Sequence, residues 1–224
     1  MDSNKLLILG DSHLEALELA ANLDMLSIHQ SLFSIVPGAT AVGLRNPNSK
    51  TDAINIFKKF LQPQPKNSLI IIHLGEVDCG FVIWWRAKKY NESVNQQFQE
   101  SINAYTQFLN EILALGFTKI CVVGASLPTI PDEQIHGDVS NKRSEIKVSI
   151  QERTQLTIKY NVELKNLTTQ LGINYFDITN EVINPLSNIV RSNYLNLDTS
   201  NHHLNKFKTV EIWANKCNSF ITAS

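Results

Sequence analysis

Apolar residues in this chain fall into short unbroken runs, separated by longer stretches in which they recur every three or four positions. The runs are 6–10 (LLILG), 32–36 (LFSIV), 69–75 (LIIIHLG), 119–125 (KICVVGA) and 173–178 (INYFDI). Continuous apolarity over so few residues predicts strands covered on both faces, because a strand with one wet face alternates instead. Between them, 93–115 places Val94, Phe98, Ile102, Tyr105, Leu109 and Ile112 at helical spacing. The same period runs through 150–171, with Gly172 where a helix-ending glycine belongs, and again through 204–220. Strand and helix thus alternate from end to end, which predicts a three-layer α/β domain spanning 1–224 around a five-stranded parallel sheet.

Two stretches fit neither period, 126–145 and 180–201. Both follow predicted strands. They therefore belong to the carboxyl edge of the sheet, where open α/β folds bind ligands.

Composition narrows the class of partner. With 43% hydrophobic residues in 224, the chain can bury one substantial core. A formal net charge of -1 and scattered lysines and arginines point to no nucleic-acid or anionic-membrane partner. Cys79, Cys121 and Cys217 lie far apart with no C-x-x-C pair, which excludes a zinc ribbon and suits a reducing compartment. The N-terminus enters a strand at once, without the apolar region of a signal peptide, and no run is long enough to span a bilayer. The expectation is a cytoplasmic protein.

Four groups of residues carry candidate chemistry. The first is GDSHLE, where Ser12 and Glu15 match a capping box ahead of the helical stripe Leu14, Leu17, Ala21. A strand-to-helix turn also exposes a hydroxyl beside free backbone N–H groups, and Asp11 could cap in place of Ser12. The second is DTSNHHLN near the end, with Asp198, His202 and His203 before the last amphipathic stretch. An activated serine needs such a base, and the base needs an orienting group. Adjacent histidines also suggest metal, but no spaced carboxylate or cysteine set completes a site, so none is expected. The third is HLGEVDCG, which brings Glu76 and Asp78 to the sheet edge, either for acid–base work or to hold loops by accepting N–H bonds. The fourth is Gly38 in VPGATAVGL, a turn glycine able to aim an N–H at the ligand edge. Ser126 reads as turn chemistry.

The order of these groups resembles that of the SGNH (GDSL-like) hydrolases: G-D-S after strand one, a glycine after strand two, G-x-x-D after strand three and a late Asp/His block. The resemblance runs from Lys5 to about Phe220. It implies a flavodoxin-like fold and hydrolysis of acyl esters without cofactor or metal. Ser12 matches the nucleophile and one oxyanion donor, Gly38 a second donor, and His203 the base, with His202 as the alternative. Two departures stand out. Val77 occupies the place of the family's asparagine donor, for which Arg86 or the amides of 126–145 are candidate substitutes. Asp198 precedes His203 by five residues where the family's aspartate stands three before. The GEVDC variant, with WWRAKKY, LPTI and ERTQLTIKYN, looks like a subgroup associated with bacterial surface-polysaccharide gene clusters. That implies a small-molecule or glycan ester, such as an O-acetyl sugar, with Trp84 and Trp85 suited to stacking on it. Acyl transfer to a sugar hydroxyl and non-catalytic glycan binding are the alternatives.

Overall fold

The computed structural model describes residues 5–132, 146–198 and 201–224. Five parallel strands form the sheet: β1 (Leu6–Gly10), β2 (Ser31–Ile35), β3 (Leu69–His73), β4 (Ile120–Val123) and β5 (Asn174–Phe176), in the order β2-β1-β3-β4-β5. Each lies within a few residues of the apolar run that predicted it. The strands alternate in a way the bare runs conceal. Leu7, Leu9, Ile70, Ile72, Ile120 and Val122 face one core, and Leu6, Ile8, Ile71, Cys121 and Val123 face the other. Both faces are apolar because both are roofed by helices.

The first core is closed by α2 (Ala53–Leu61), α3 (Ile83–Tyr90), α4 (Val94–Ala114) and α5 (Ile150–Leu171), through residues such as Phe57, Ile83, Phe108 and Tyr160. The second is closed by α1 (Glu15–Asn22) and α7 (Lys206–Ala223), through Leu17, Ala20, Trp213 and Cys217. Handedness explains the division. Right-handed crossovers put their helix on one face when the chain steps one way along the sheet, and on the other when it reverses. The step from β1 to β2 runs opposite to the steps onward through β3, β4 and β5, so α1 lies alone until α7 returns beside it. Asn218 of α7 fastens that return, accepting from Ser27 N–H at 2.7 Å and donating to the Met25 carbonyl at 2.9 Å.

The helix limits follow local chemistry. Helix α5 opens with a true capping box, Ser149 with Glu152, and stops at Gly172 in the left-handed conformation. The stretch 180–201 holds the short helix α6 (Thr179–Val182), an antiparallel ribbon of β6 (Ile183–Asn184) and β7 (Ile189–Val190), and a 3₁₀ turn at Ser192–Tyr194. The expected loop 126–145 is described only to Asp132, so candidate donors at 133–145 lie outside the described residues. Among the described residues, no helix is long and apolar enough to cross a membrane.

Candidate active site

The connections that leave the neighbouring strands β1 and β3 run in opposite directions along the sheet, and the crevice at the carboxyl ends of such a pair is where α/β sheets accept ligands. Ser12 stands there. The expected Ser12–Glu15 capping box does not form. Asp11 takes the cap instead, its Oδ1 accepting from His13 N–H at 3.0 Å, and Ser12–Leu14 make a 3₁₀ turn before α1 begins at Glu15. Both Ser12 and Glu15 are thereby released from helix capping. Gly10 is required beneath them, since a Cβ there would meet the His73 carbonyl oxygen at 2.2 Å.

The loop before α7 brings the histidines over this turn. It is pinned at several points: Thr129 Oγ1 donates to the His202 carbonyl (2.6 Å), Asn196 Nδ2 to the His203 carbonyl (2.7 Å), and His203 N–H to Asn201 Oδ1 (3.0 Å). His203 Nε2 then lies 2.9 Å from Ser12 Oγ, across 191 positions of sequence. Its Nδ1 lies 3.0 Å from Glu15 Oε1. A carboxylate only accepts, so Nδ1 carries the proton of the neutral ring and Nε2 is left to accept the Ser12 hydroxyl. Burial first, and then the charges of His13 and His202, push the His203 pKa down to about 4, while Glu15 and Glu76 act the other way. An imidazole so placed is an unprotonated base at neutral pH.

Glu15 is thus a carboxylate on the histidine, a role that the sequence had offered to Asp198. The carbonyl of Asp198 accepts Asn201 N–H at 3.1 Å and so shapes the histidine loop. A signal for Glu15 lay in the sequence: three residues after Ser12 is one helical turn, which returns a side chain to the same face. The same spacing also fits a capping box, which is why it does not by itself single out Glu15. His202, the alternative base, has its ring 4.2 Å from that of His203, and the nitrogen facing Ser12 belongs to His203.

The two acidic residues after β3 divide. Asp78, fully buried, accepts Ala41 N–H (2.7 Å), Val42 N–H (3.0 Å) and the Ser101 hydroxyl (2.8 Å), and Ser101 in turn meets Tyr160 Oη at 2.9 Å. Burial raises its pKa and these three bonds lower it. It holds a loop, as one of the two expectations had it. Glu76 instead pairs with His13, Oε2 to Nε2 at 3.1 Å, both buried. His13 sets its ring edge-on to His203 with centroids 4.5 Å apart. Neither His13 nor His73, which meets Ser126 Oγ at 3.3 Å below the site, stood out in the sequence.

The loop held by Asp78 also carries Gly38, whose φ of +73° favours glycine although nothing crowds its Cβ position. Among the described residues, neither Ser12 N–H nor Gly38 N–H has a protein acceptor. Val77, with helical backbone at the start of the turn Asp78–Val82, offers no side-chain donor. Arg86, expected as its substitute, lies in a cleft lined by Thr40, Gly43 and Trp85, with its Nε donating to Gln97. Trp84 is turned toward the core, its Nε1 donating to the Cys79 carbonyl at 2.8 Å. Against the expectation of no metal set, one nitrogen each of His13, His202 and His203 lies within 4.8 Å of the others, an arrangement that could hold a transition-metal ion.

No family model matches the sequence, and no curated protein does. Solved structures do. A carbohydrate acetylesterase from Sinorhizobium meliloti superposes with a TM-score of 0.63 at 13% identity, covering 99% of this chain and 100% of that one. An aryl esterase from M. smegmatis gives 0.63 at 12%, covering 98% and 99%. A GDSL-like lipase from Bacteroides thetaiotaomicron gives 0.58 at 13%, covering 99% and 89%. The fold is that of the SGNH (GDSL-like) hydrolases. At such identities the likeness speaks for the SGNH fold and its strand order, and the chemistry must be argued from this chain's own side chains.

Proposed function

We propose that this chain is a serine-dependent ester hydrolase that removes a small acyl group, of the O-acetyl class, from a carbohydrate. The observation that carries the reading is the line Glu15–His203–Ser12, with contacts of 3.0 Å and 2.9 Å at the two ring nitrogens. His203 Nε2 takes the Ser12 proton as Oγ attacks the ester carbonyl. Glu15 keeps the proton on Nδ1 and balances the imidazolium that forms. The N–H groups of Ser12 and Gly38 receive the oxyanion. His203 then protonates the leaving alcohol, the acyl group stays on Ser12, and water activated by the same nitrogen releases it as the acid. The carbohydrate class draws support from the acetylesterase from Sinorhizobium meliloti and from an acetylxylan esterase from Geobacillus stearothermophilus, which covers 96% of this chain at 12% identity with a TM-score of 0.58.

A fluorophosphonate probe should label the wild type and not Ser12→Ala, and acetate release from aryl acetates and acetylated sugars should depend on Ser12 in the same way. Labelling that persists in Ser12→Ala, or no Ser12-dependent release from any ester, would sink the reading.

A further inference from the structure

The loop that carries Gly38 continues as one wall of a cleft of about 410 Å³. Thr40, Gly43 and Arg45 line that side, and Phe81, Trp85 and Arg86 line the other. Thr40 is two residues beyond Gly38, so their Cα atoms are no more than about 7.6 Å apart. The wall is fixed in place, because Asp78 holds the Ala41 and Val42 N–H groups. The cleft therefore begins next to the oxyanion donor and is built on the same immobilised loop.

Its two guanidinium groups differ. Arg45 is neutralised by Glu100. Arg86 is oriented without a direct carboxylate partner: Nε donates to Gln97 Oε1 at 2.5 Å, the guanidinium carbon sits 4.9 Å from the Tyr90 ring centroid, and Glu92 stands one bond further back, accepting from Gln97. Among the described residues, neither Nη of Arg86 has a hydrogen-bond or ion-pair partner. The two cations feel each other, since burial first and then the charge of Arg86 lower the Arg45 pKa, while Tyr90 and Glu92 act the other way. Lys89, whose Nζ lies 4.4 Å from the Trp85 ring centroid, adds to the positive field. An aimed guanidinium fork suits a planar carboxylate, which can accept from both Nη groups at once. Phe81 and Trp85 supply the apolar wall on which a sugar ring can lie.

We propose that this cleft is a subsite for the carboxylate of a hexuronate-type sugar unit in the substrate. The ester part of the substrate rests on the hydrolase reading above; the anion subsite does not. Calorimetry on full-length Ser12→Ala with trigalacturonate, its neutral methyl ester and inorganic phosphate separates the two. Trigalacturonate should bind about tenfold or more tighter than its methyl ester. That preference should vanish in Arg86→Gln and recover partly in Arg86→Lys, with thermal melting of each variant as the check on folding. Equal binding of acid and methyl ester, or a preference that survives Arg86→Gln, would overturn the proposal. So would phosphate binding through Arg86 without any preference for the acidic sugar, which would reassign the cleft to phosphate. With acetylated oligogalacturonides, Arg86→Gln should raise KM far more than it lowers kcat. If wild type binds trigalacturonate through Arg86 but releases no acetate from any ester, the hydrolase reading fails and the subsite stands. If it releases acetate with no preference for acidic sugars, the subsite fails alone.

Discussion

Two polar clusters stand within a few residues of the carboxyl ends of β1 and β3, and both are built from an acid, a hydroxyl and a third group. Around Ser12 the acid is Glu15, about a third exposed, and the third group is an imidazole. Around Ser101 the acid is Asp78, with no exposure, and the third groups are the Ala41 and Val42 amides and Tyr160. The first has an imidazole kept unprotonated down to about pH 4, and a hydroxyl within hydrogen-bond reach of it. In the second every lone pair used is met by a fixed donor. Similar residues thus make reactive chemistry where an unprotonated imidazole faces a hydroxyl, and scaffolding where backbone donors saturate a sealed carboxylate.

The sharpest way to break this contrast is to cut each cluster and compare activity with stability. Ser12→Ala should lower kcat/KM for an aryl acetate by about 10⁴-fold or more while the urea midpoint stays near wild type. His203→Ala should cost about 10³-fold or more, and His202→Ala no more than about tenfold; the reverse ranking would overturn the assignment of the base. Glu15→Gln should lower kcat by about 10²–10³-fold, since the amide holds the ring but cannot balance the imidazolium. In the other cluster Asp78→Asn should cost about 2–4 kcal/mol of unfolding free energy in urea titration, by leaving backbone donors poorly met. A variant of either cluster that behaved like the other would erase the distinction.

Smaller effects sharpen it. With His203 pushed down to about 4, the base stays unprotonated well below neutrality. The acid limb of kcat/KM should therefore fall near pH 4 rather than near the ordinary histidine value, and Glu15→Gln should move it lower still, because Glu15 acts to raise that pKa. The linkage has the same sign for folding: with a folded pKa below its unfolded value, the contribution of His203 is complete above about pH 6.5 and is lost as pH falls toward 4. Val77→Asn, which returns an amide donor beside the two backbone ones, should raise kcat by about tenfold; no gain would mean that the amide cannot reach the oxyanion.

Most of the fold was legible along the chain. The five apolar runs mark the five strands, and the three long periodic stretches become α4, α5 and α7. Ser12 and His203, which the fold brings together, were also legible, because a strand followed by Gly-Asp-Ser and a histidine pair before a helix are local patterns. Glu15 was legible only as a residue type at a spacing. Whether Ser12–Glu15 closes as a capping box depends on Asp11 competing for the same N–H group, a contest that a motif cannot decide. The ribbon of β6 and β7 escaped notice because two-residue strands leave no periodic trace.

What the sequence determined by itself was local: which segments bury both faces, where helices stop, and which hydroxyl and which imidazoles were available. Tertiary structure decided the pairings. It set His203, 191 residues away, on Ser12 because α7 packs beside α1 on the same face of the sheet. It set Glu15 against that histidine, buried Asp78 as a loop anchor, and moved Arg86 into a cleft of its own. Those outcomes depend on distances between segments remote in sequence, and such distances follow from the handedness of crossovers and the closure of two cores.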